Sequence, residues 1–178
     1  MVGHGGHSAP VALEHALLVS LSERPAAGLE LARRFDRSIG FFWSATHQQI
    51  YRVLGRMEQD GWVAARVVEQ SGGPEKREYS VTDAGRTALA DWIATTTPRP
   101  AFRSEIAVKL RGASYGDRAA LLADVAELLA DHRTRLAHYE SLAARDYPEP
   151  DRLDGADLDT YLVLRGGILQ ETFWIAWL

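Results

Sequence analysis

The chain has 178 residues, of which 46% are hydrophobic, and a formal net charge of −4 at pH 7. It contains no cysteine, which excludes disulfide bonds, thiol nucleophiles and thiolate zinc sites. No apolar run approaches the roughly 18 residues of a membrane span, and residues 1–10 lack the basic and apolar regions of a signal peptide. We therefore expect a cytoplasmic globular protein with no membrane segment.

The N-terminal segment predicts a flexible arm followed by two helices. Residues 1–9 are small, polar and rich in glycine; His4 and His7 in this arm would bind a metal ion only with further ligands, and otherwise belong to a disordered leader. Apolar residues spaced by three and four then predict a helix over 10–22 and a shorter one over about 29–37.

A third helix is predicted over about residues 47–59. Thr46 and Gln49 have the spacing of a capping box, and Gly61 follows the last periodic residue, as is typical of helix ends. Its inner, apolar face consists of Ile50, Val53, Leu54 and Met57. Its outer face and flanks carry His47, Gln48, Tyr51, Arg52 and Arg56.

A β-hairpin and a fourth helix complete the first half of the chain. Residues 62–69 and 76–81 predict two strands joined by a mobile tip at 70–75, and Thr82 has the position of a helix N-cap. A run of threonine and proline over 95–100 marks a boundary. We expect an N-terminal domain over 10–97 and a helical domain over 98–178.

The second half predicts helices at about 103–111, 117–145 and 156–177. The long helix carries a seam of alternating three- and four-residue steps, formed by Leu122, Val125, Leu129, His132, Leu136 and Tyr139. The last helix has more apolar surface than one face can bury, which indicates a homodimer. In the seam, His132 is interpreted as a polar residue that sets the register, with pH sensing as the alternative.

The order of three helices, a hairpin and a helix is typical of a winged helix-turn-helix, in which the third helix enters the major groove of double-stranded DNA. Gln48, Tyr51 and Arg52 are expected to contact bases, and Arg56, Lys76 and Arg77 to contact phosphates. The full set of expected DNA-binding residues is Thr46, His47, Gln48, Gln49, Tyr51, Arg52, Arg56, Lys76 and Arg77.

The charge distribution leaves a second interpretation open. Residues 1–97 contain ten Lys and Arg against eleven Asp and Glu, and residues 98–178 contain ten against thirteen. A DNA-binding domain must therefore cluster its cations on one face. If the cations scatter instead, the alternative is a module that binds another protein.

The sequence resembles the PadR family of bacterial transcription regulators. The matching segments are residues 17–31, 46–54, 56–63, 72–79 and 82–86, with a looser likeness near residues 164–174. The resemblance implies a mainly helical winged helix-turn-helix with a small β-hairpin wing and a C-terminal helical dimerisation arm. It also implies a homodimer that binds an inverted repeat, usually represses a nearby gene and sometimes responds to a small molecule. His47 and Arg52 stand where the family often has proline.

Tryptophans offer a candidate site for a small aromatic or hydrophobic effector. Trp43, Trp174 and Trp177 are assigned to a ligand site or an interface, with plain core packing as the alternative for the last two. Nucleophile–base pairs, metal-ligand spacings and Gly-rich phosphate loops are missing from the sequence, so we predict no enzyme, no cofactor and no metal site.

Overall fold

The computed structural model describes residues 9–37, 45–68, 76–97 and 103–178. The chain forms two compact units, residues 1–98 and 99–178, and each is described by itself. None of the helices in the described ranges is long and apolar enough to cross a membrane. His4, His7, Trp43 and the tip of the wing at 70–75 lie outside the described residues.

The first unit is a winged helix-turn-helix, as predicted. Its elements in chain order are α1 (Ala9–Glu23), β1 (Ala26–Ala27), α2 (Gly28–Arg37), α3 (His47–Gln59), β2 (Val63–Val68), β3 (Lys76–Val81) and α4 (Asp83–Ile93). Helix α3 ends where the sequence predicted, and Gly61 adopts φ of 71° just beyond it. This left-handed conformation carries the chain from α3 into the wing.

The core of this unit joins the inner faces of the first three helices to the wing. The four predicted inner residues of α3 are all buried. They pack with Leu17, Leu18 and Leu21 of α1, and with Leu31 of α2. Val63 of β2 and Tyr79 of β3 belong to the same core, so the wing is anchored to the helices rather than hinged freely.

The sheet has three strands where the sequence analysis predicted a two-stranded hairpin. The strand order is β1-β3-β2, and all pairs are antiparallel. In β1, Ala26 pairs with Tyr79 and Ala27 pairs with Glu78. A two-residue strand is too short to show an alternating pattern, and this one forms only because the start of α2 lies beside β3.

Arg34 connects the end of α1 to α2. Its Nη1 donates hydrogen bonds to the carbonyl oxygens of Ser20 (2.9 Å) and Arg24 (2.8 Å), and its Nη2 donates to Glu30 (3.4 Å). Carbonyl groups at the end of a helix have no partner within the helix, so this guanidinium satisfies acceptors that would otherwise need water. The contact fixes how α2 leaves α1.

The second unit consists of α5 (Glu105–Arg111), α6 (Arg118–Asp146) and α7 (Gly155–Trp177), with short 3-10 turns between them. Along the predicted seam of α6, Tyr139 is buried and Leu122 is 60% exposed; Val125, Leu129, His132 and Leu136 are half-buried. The buried end of the seam packs in the interface between α6 and α7.

A polar cluster lies inside that interface. Glu171 of α7 is 8% exposed and contacts the Nδ1 atom of His132. Arg135 Nε donates to the same carboxylate (3.2 Å). Burial, followed by the charge of Glu171, raises the pKa of the Tyr139 hydroxyl above its ordinary value. His132 therefore has a partner within its own chain.

Candidate nucleic-acid interface

The start of α3 is held by the predicted capping box. The Thr46 Oγ1 atom accepts a hydrogen bond from the backbone N–H of Gln49 (3.2 Å), and the Gln49 Oε1 atom accepts one from the backbone N–H of Thr46 (2.8 Å). Both side chains thus satisfy backbone groups that the first turn leaves unpaired. Their first role is to fix the helix start, although both remain exposed.

The N-terminal half of α3 presents polar side chains to solvent. His47, Gln48, Tyr51 and Arg52 are all exposed, on the outer side and the flanks of the helix, away from its buried apolar residues. Among the described residues, Arg52 has no hydrogen-bond or ion-pair partner. A helix of this kind offers donors and acceptors of the type that read base edges in the major groove.

Tyr51 is positioned by the first residue of α2. A Cβ atom built on Gly28 would lie 2.3 Å from the Cε1 atom of Tyr51, so the ring lies directly against the glycine backbone. The ring is nevertheless 46% exposed. Because Gly28 has no side chain, the Tyr51 ring packs against the backbone of α2. The outer edge of the ring remains exposed to solvent.

Arg56 lies farther along α3 and is paired within the unit. Its Nη2 atom forms an ion pair with Glu14 of α1, whose side chain is 13% exposed. The Arg56 side chain is itself 45% exposed. Arg56 thus ties α3 to α1, and a phosphate would share or compete for its guanidinium.

The wing cations are also paired. Lys76 Nζ donates to Glu30 of α2 (3.4 Å), and Arg77 Nη2 donates to Glu58 of α3 (2.6 Å). Arg77 also lies 5.8 Å from the ring centroid of Tyr79, within cation–π range. These contacts fasten the start of β3 to both helices, in addition to any contact with DNA.

Glu30 of α2 forms ion pairs with three cationic side chains near the start of β3. Arg24, Arg34 and Lys76 all contact its carboxylate. Burial alone would raise the pKa of Glu30, but the hydrogen bond from Lys76 and the charges of the three cations together hold that pKa below its ordinary value. The carboxylate is therefore ionised at neutral pH and neutralises part of the positive charge of this face.

These carboxylates are the site residues that the sequence analysis missed. Glu14 lies 42 residues before Arg56, and Glu30 lies 46 residues before Lys76. No local periodicity links residues so far apart. The opposite charges of Glu58 and Arg77 are visible in the sequence, but only the packing of β3 against α3 makes them a pair.

In the second unit, Trp174 and Trp177 pack in an aromatic cluster. Trp174 stacks on His132, with centroids 5.6 Å apart and an angle of 9°, and meets Trp177 edge-on at 5.4 Å. Trp174 and His132 also line a cavity of about 480 Å³. The other lining residues are Ser104, Glu105, Ile106, Lys109, Asp124, Leu128 and Leu178.

Comparison with known proteins places both units in one type of regulator. Residues 17–91 match the family described as "Transcriptional regulator PadR-like family", and residues 102–178 match "Virulence activator alpha C-term". The Mycobacterium tuberculosis protein named "Probable transcriptional regulator Rv1176c" is 52% identical over 178 residues, covering 94% of each chain. The "Negative transcriptional regulator PadR" of Bacillus subtilis is 29% identical over 171 residues, covering 93% of each.

Solved structures agree with these matches. The crystal structure of Bacillus subtilis PadR in complex with operator DNA superimposes with a TM-score of 0.82 at 26% identity, covering 93% of this chain and 94% of that one. The same regulator has been crystallised with p-coumaric acid. The Vibrio cholerae virulence activator AphA gives a TM-score of 0.78 at 37% identity, covering 93% and 92%. The chain belongs to the PadR-like family of transcriptional regulators and is not an enzyme.

Proposed function

We propose that this protein is a homodimeric repressor that binds an inverted-repeat operator through α3 and the wing. The observation that carries this proposal is the exposed polar N-terminal half of α3, in a fold that superimposes closely on a relative bound to operator DNA. In such a dimer the two recognition helices face half-sites about 34–36 Å apart, one turn of the double helix.

The exposed side chains divide between base contacts and phosphate contacts. Gln48, Tyr51 and Arg52 read bases, since they lie where an inserted helix meets the floor of the groove. Arg56, Lys76 and Arg77 contact phosphates and orient the protein on the backbone. Thr46, His47 and Gln49 complete the expected DNA-binding set at the start of α3. Phosphate contacts of this kind supply sequence-independent affinity that falls as salt rises.

The helical unit supports dimerisation. In α7, Leu162, Leu169 and Phe173 are each more than half exposed, as is Leu122 of α6. Apolar side chains of this size grouped on long helices are typical of a surface that a partner covers. A second copy of the same chain is the partner that a palindromic operator requires.

Repression and release by an effector are proposed from what is known of a relative. One relative is a negative regulator, and the same protein binds p-coumaric acid. We propose a small aromatic or hydrophobic effector, with the cavity beside Trp174 as its site in the helical unit; cavities of about 300–1,000 Å³ suit such ligands.

Phenolic acids added to the protein should quench tryptophan fluorescence saturably, and Trp174→Phe should remove that change. A linear, non-saturable change would contradict the effector site.

One observation favours the alternative, a winged helix that binds another protein. Arg56, Lys76 and Arg77 are each paired with a carboxylate of the same unit, which lowers the positive charge available to DNA. The proposal of DNA binding requires these ion pairs to be shared with phosphates or exchanged for them. The pairs of Lys76 and Arg77 are largely exposed, and such pairs are worth little, so their exchange costs little free energy. The Glu14 side chain is 13% exposed, so Arg56 shares its guanidinium with a phosphate rather than leaving that carboxylate.

The pair of Arg77 and Glu58 provides the test. The operator duplex is the fragment that the protein selects from sheared genomic DNA, with the region upstream of its own gene tested first. Arg77→Ala should weaken binding to all duplexes about threefold to tenfold and reduce the salt slope by about one, as expected for one lost phosphate contact.

Glu58→Gln is the matched control, because it breaks the same ion pair and keeps the cation. If Arg77 contacts phosphate, Glu58→Gln should leave affinity unchanged or raise it, because it frees the guanidinium. If Arg77 only fastens the wing to α3, both variants should weaken binding equally. Gel shifts over a salt series distinguish the two results.

A further inference from the structure

Gly55 lies in the middle of α3, and no contact with the described residues requires a glycine at this position. A Cβ atom built on it meets no described atom within 4 Å, and its φ lies outside the positive range. Glycine weakens a helix interior relative to alanine, because it loses more backbone freedom on folding. An alanine at this position would therefore fit the unit and stabilise it.

The other glycines among the described residues of this unit, Gly28, Gly61 and Gly85, are explained by their surroundings. A Cβ on Gly28 would strike Tyr51, and a Cβ on Gly85 would lie 2.1 Å from the carbonyl oxygen of Trp62. Gly61 has a positive φ. At Gly55 no neighbour in the described residues and no backbone conformation requires the missing side chain. This makes a molecule bound by α3 the candidate reason for the glycine.

The position of Gly55 on the helix indicates what that is. Residues three, four and seven apart are neighbours on a helix surface. The neighbours of Gly55 on its outer side are Gln48, Tyr51, Arg52 and Gln59, and all four are exposed. Gly55 is itself half-buried and is therefore a low point of the polar face, between longer side chains that project past it.

We propose that Gly55 is a positioning residue that lets DNA approach the backbone of α3 closely. This inference rests on the proposed function. A helix with its side chains is about 10–12 Å across and the major groove is about 12 Å wide, so the clearance is small. A methyl group at the centre of the inserted face would hold the helix away from the bases that Tyr51 and Arg52 reach.

The test is a variant that strengthens the fold and weakens its function. Gly55→Ala should raise the midpoint of thermal unfolding by about 2–8 °C, because alanine is the better helix former. The same variant should weaken binding to the operator duplex about tenfold, and Gly55→Leu should weaken it further. Fluorescence anisotropy with labelled duplex measures affinity, and circular dichroism measures the midpoint.

Thr87→Ala is the matched control. Thr87 is exposed on α4, outside the proposed DNA face, and its replacement also raises helix propensity. It should raise the midpoint and leave DNA affinity unchanged. This control shows whether added stability alone affects binding.

The outcomes separate this inference from the proposed function. If wild type prefers the operator over a scrambled duplex and Gly55→Ala binds equally well, the inference is wrong and the proposed function stands. A lower midpoint in Gly55→Ala would also overturn it, since the glycine would then be needed by the fold. If wild type shows no such preference, the proposed function itself fails.

Discussion

Replacing Arg52 by alanine is expected to weaken binding to the operator duplex about tenfold to hundredfold while leaving the unfolding midpoint nearly unchanged. Arg52 is exposed and has no partner among the described residues, so the fold loses little. A guanidinium that donates two hydrogen bonds to a guanine edge contributes about 1–3 kcal/mol of discrimination, and 1.4 kcal/mol corresponds to tenfold. The loss should be largest for the operator and small for a scrambled duplex.

Arg133→Ala provides the control for this prediction. Arg133 is an exposed arginine of α6 in the other unit, so its replacement changes the net charge of the protein by the same amount. It should leave the preference for the operator intact. If Arg52→Ala and Arg133→Ala reduced affinity equally, or if Arg52→Ala weakened binding to both duplexes alike, Arg52 would not read bases.

Replacing Glu171 by alanine is expected to destabilise the helical unit by about 2 kcal/mol. Glu171 is buried and contacts both His132 and Arg135, and hydrogen bonds to charged groups contribute about 1.5–3 kcal/mol. The Arg135 side chain is partly exposed, so water can hydrate its guanidinium when Glu171 is lost. The loss of stability is therefore smaller than for a fully buried ion pair. Urea unfolding at a fixed protein concentration measures the change.

Glu127→Ala, at an exposed position of α6, is the control and should change the free energy of unfolding by less than about 0.5 kcal/mol. A double variant adds a second check. In the background of His132→Ala, Glu171→Ala should cost less than it does in wild type, because the two side chains share one interaction. Full additivity would show that their contact does not stabilise the interface.

The local patterns of the sequence predicted the helices and the wing because the forces involved are local. The capping box at Thr46 and Gln49, the cap at Thr82 and the helix end at Gly61 are decided by residues within a few positions of each other. The buried face of α3 was equally readable, since its apolar residues recur with the period of the helix.

Strand β1, the ion pairs around the wing and the partner of His132 depend on contacts between segments that are far apart in the sequence. Strand β1 exists only because β3 lies beside Ala26 and Ala27. The ion pairs of Arg56, Lys76 and Arg77 likewise depend on how three helices pack around the wing. His132 was assigned to the seam, but nothing in the local pattern pointed to Glu171 as its partner, which lies 39 residues away on α7.

Binding to the operator duplex, compared with a scrambled duplex of equal length over a series of salt concentrations, tests the central claim most directly. We expect the operator to bind at least about a thousandfold more tightly, with saturation at two chains per duplex and an affinity that falls linearly on a logarithmic salt scale. Equal affinity for both duplexes, or saturation at one chain per duplex, would contradict a dimer that reads an inverted repeat through α3.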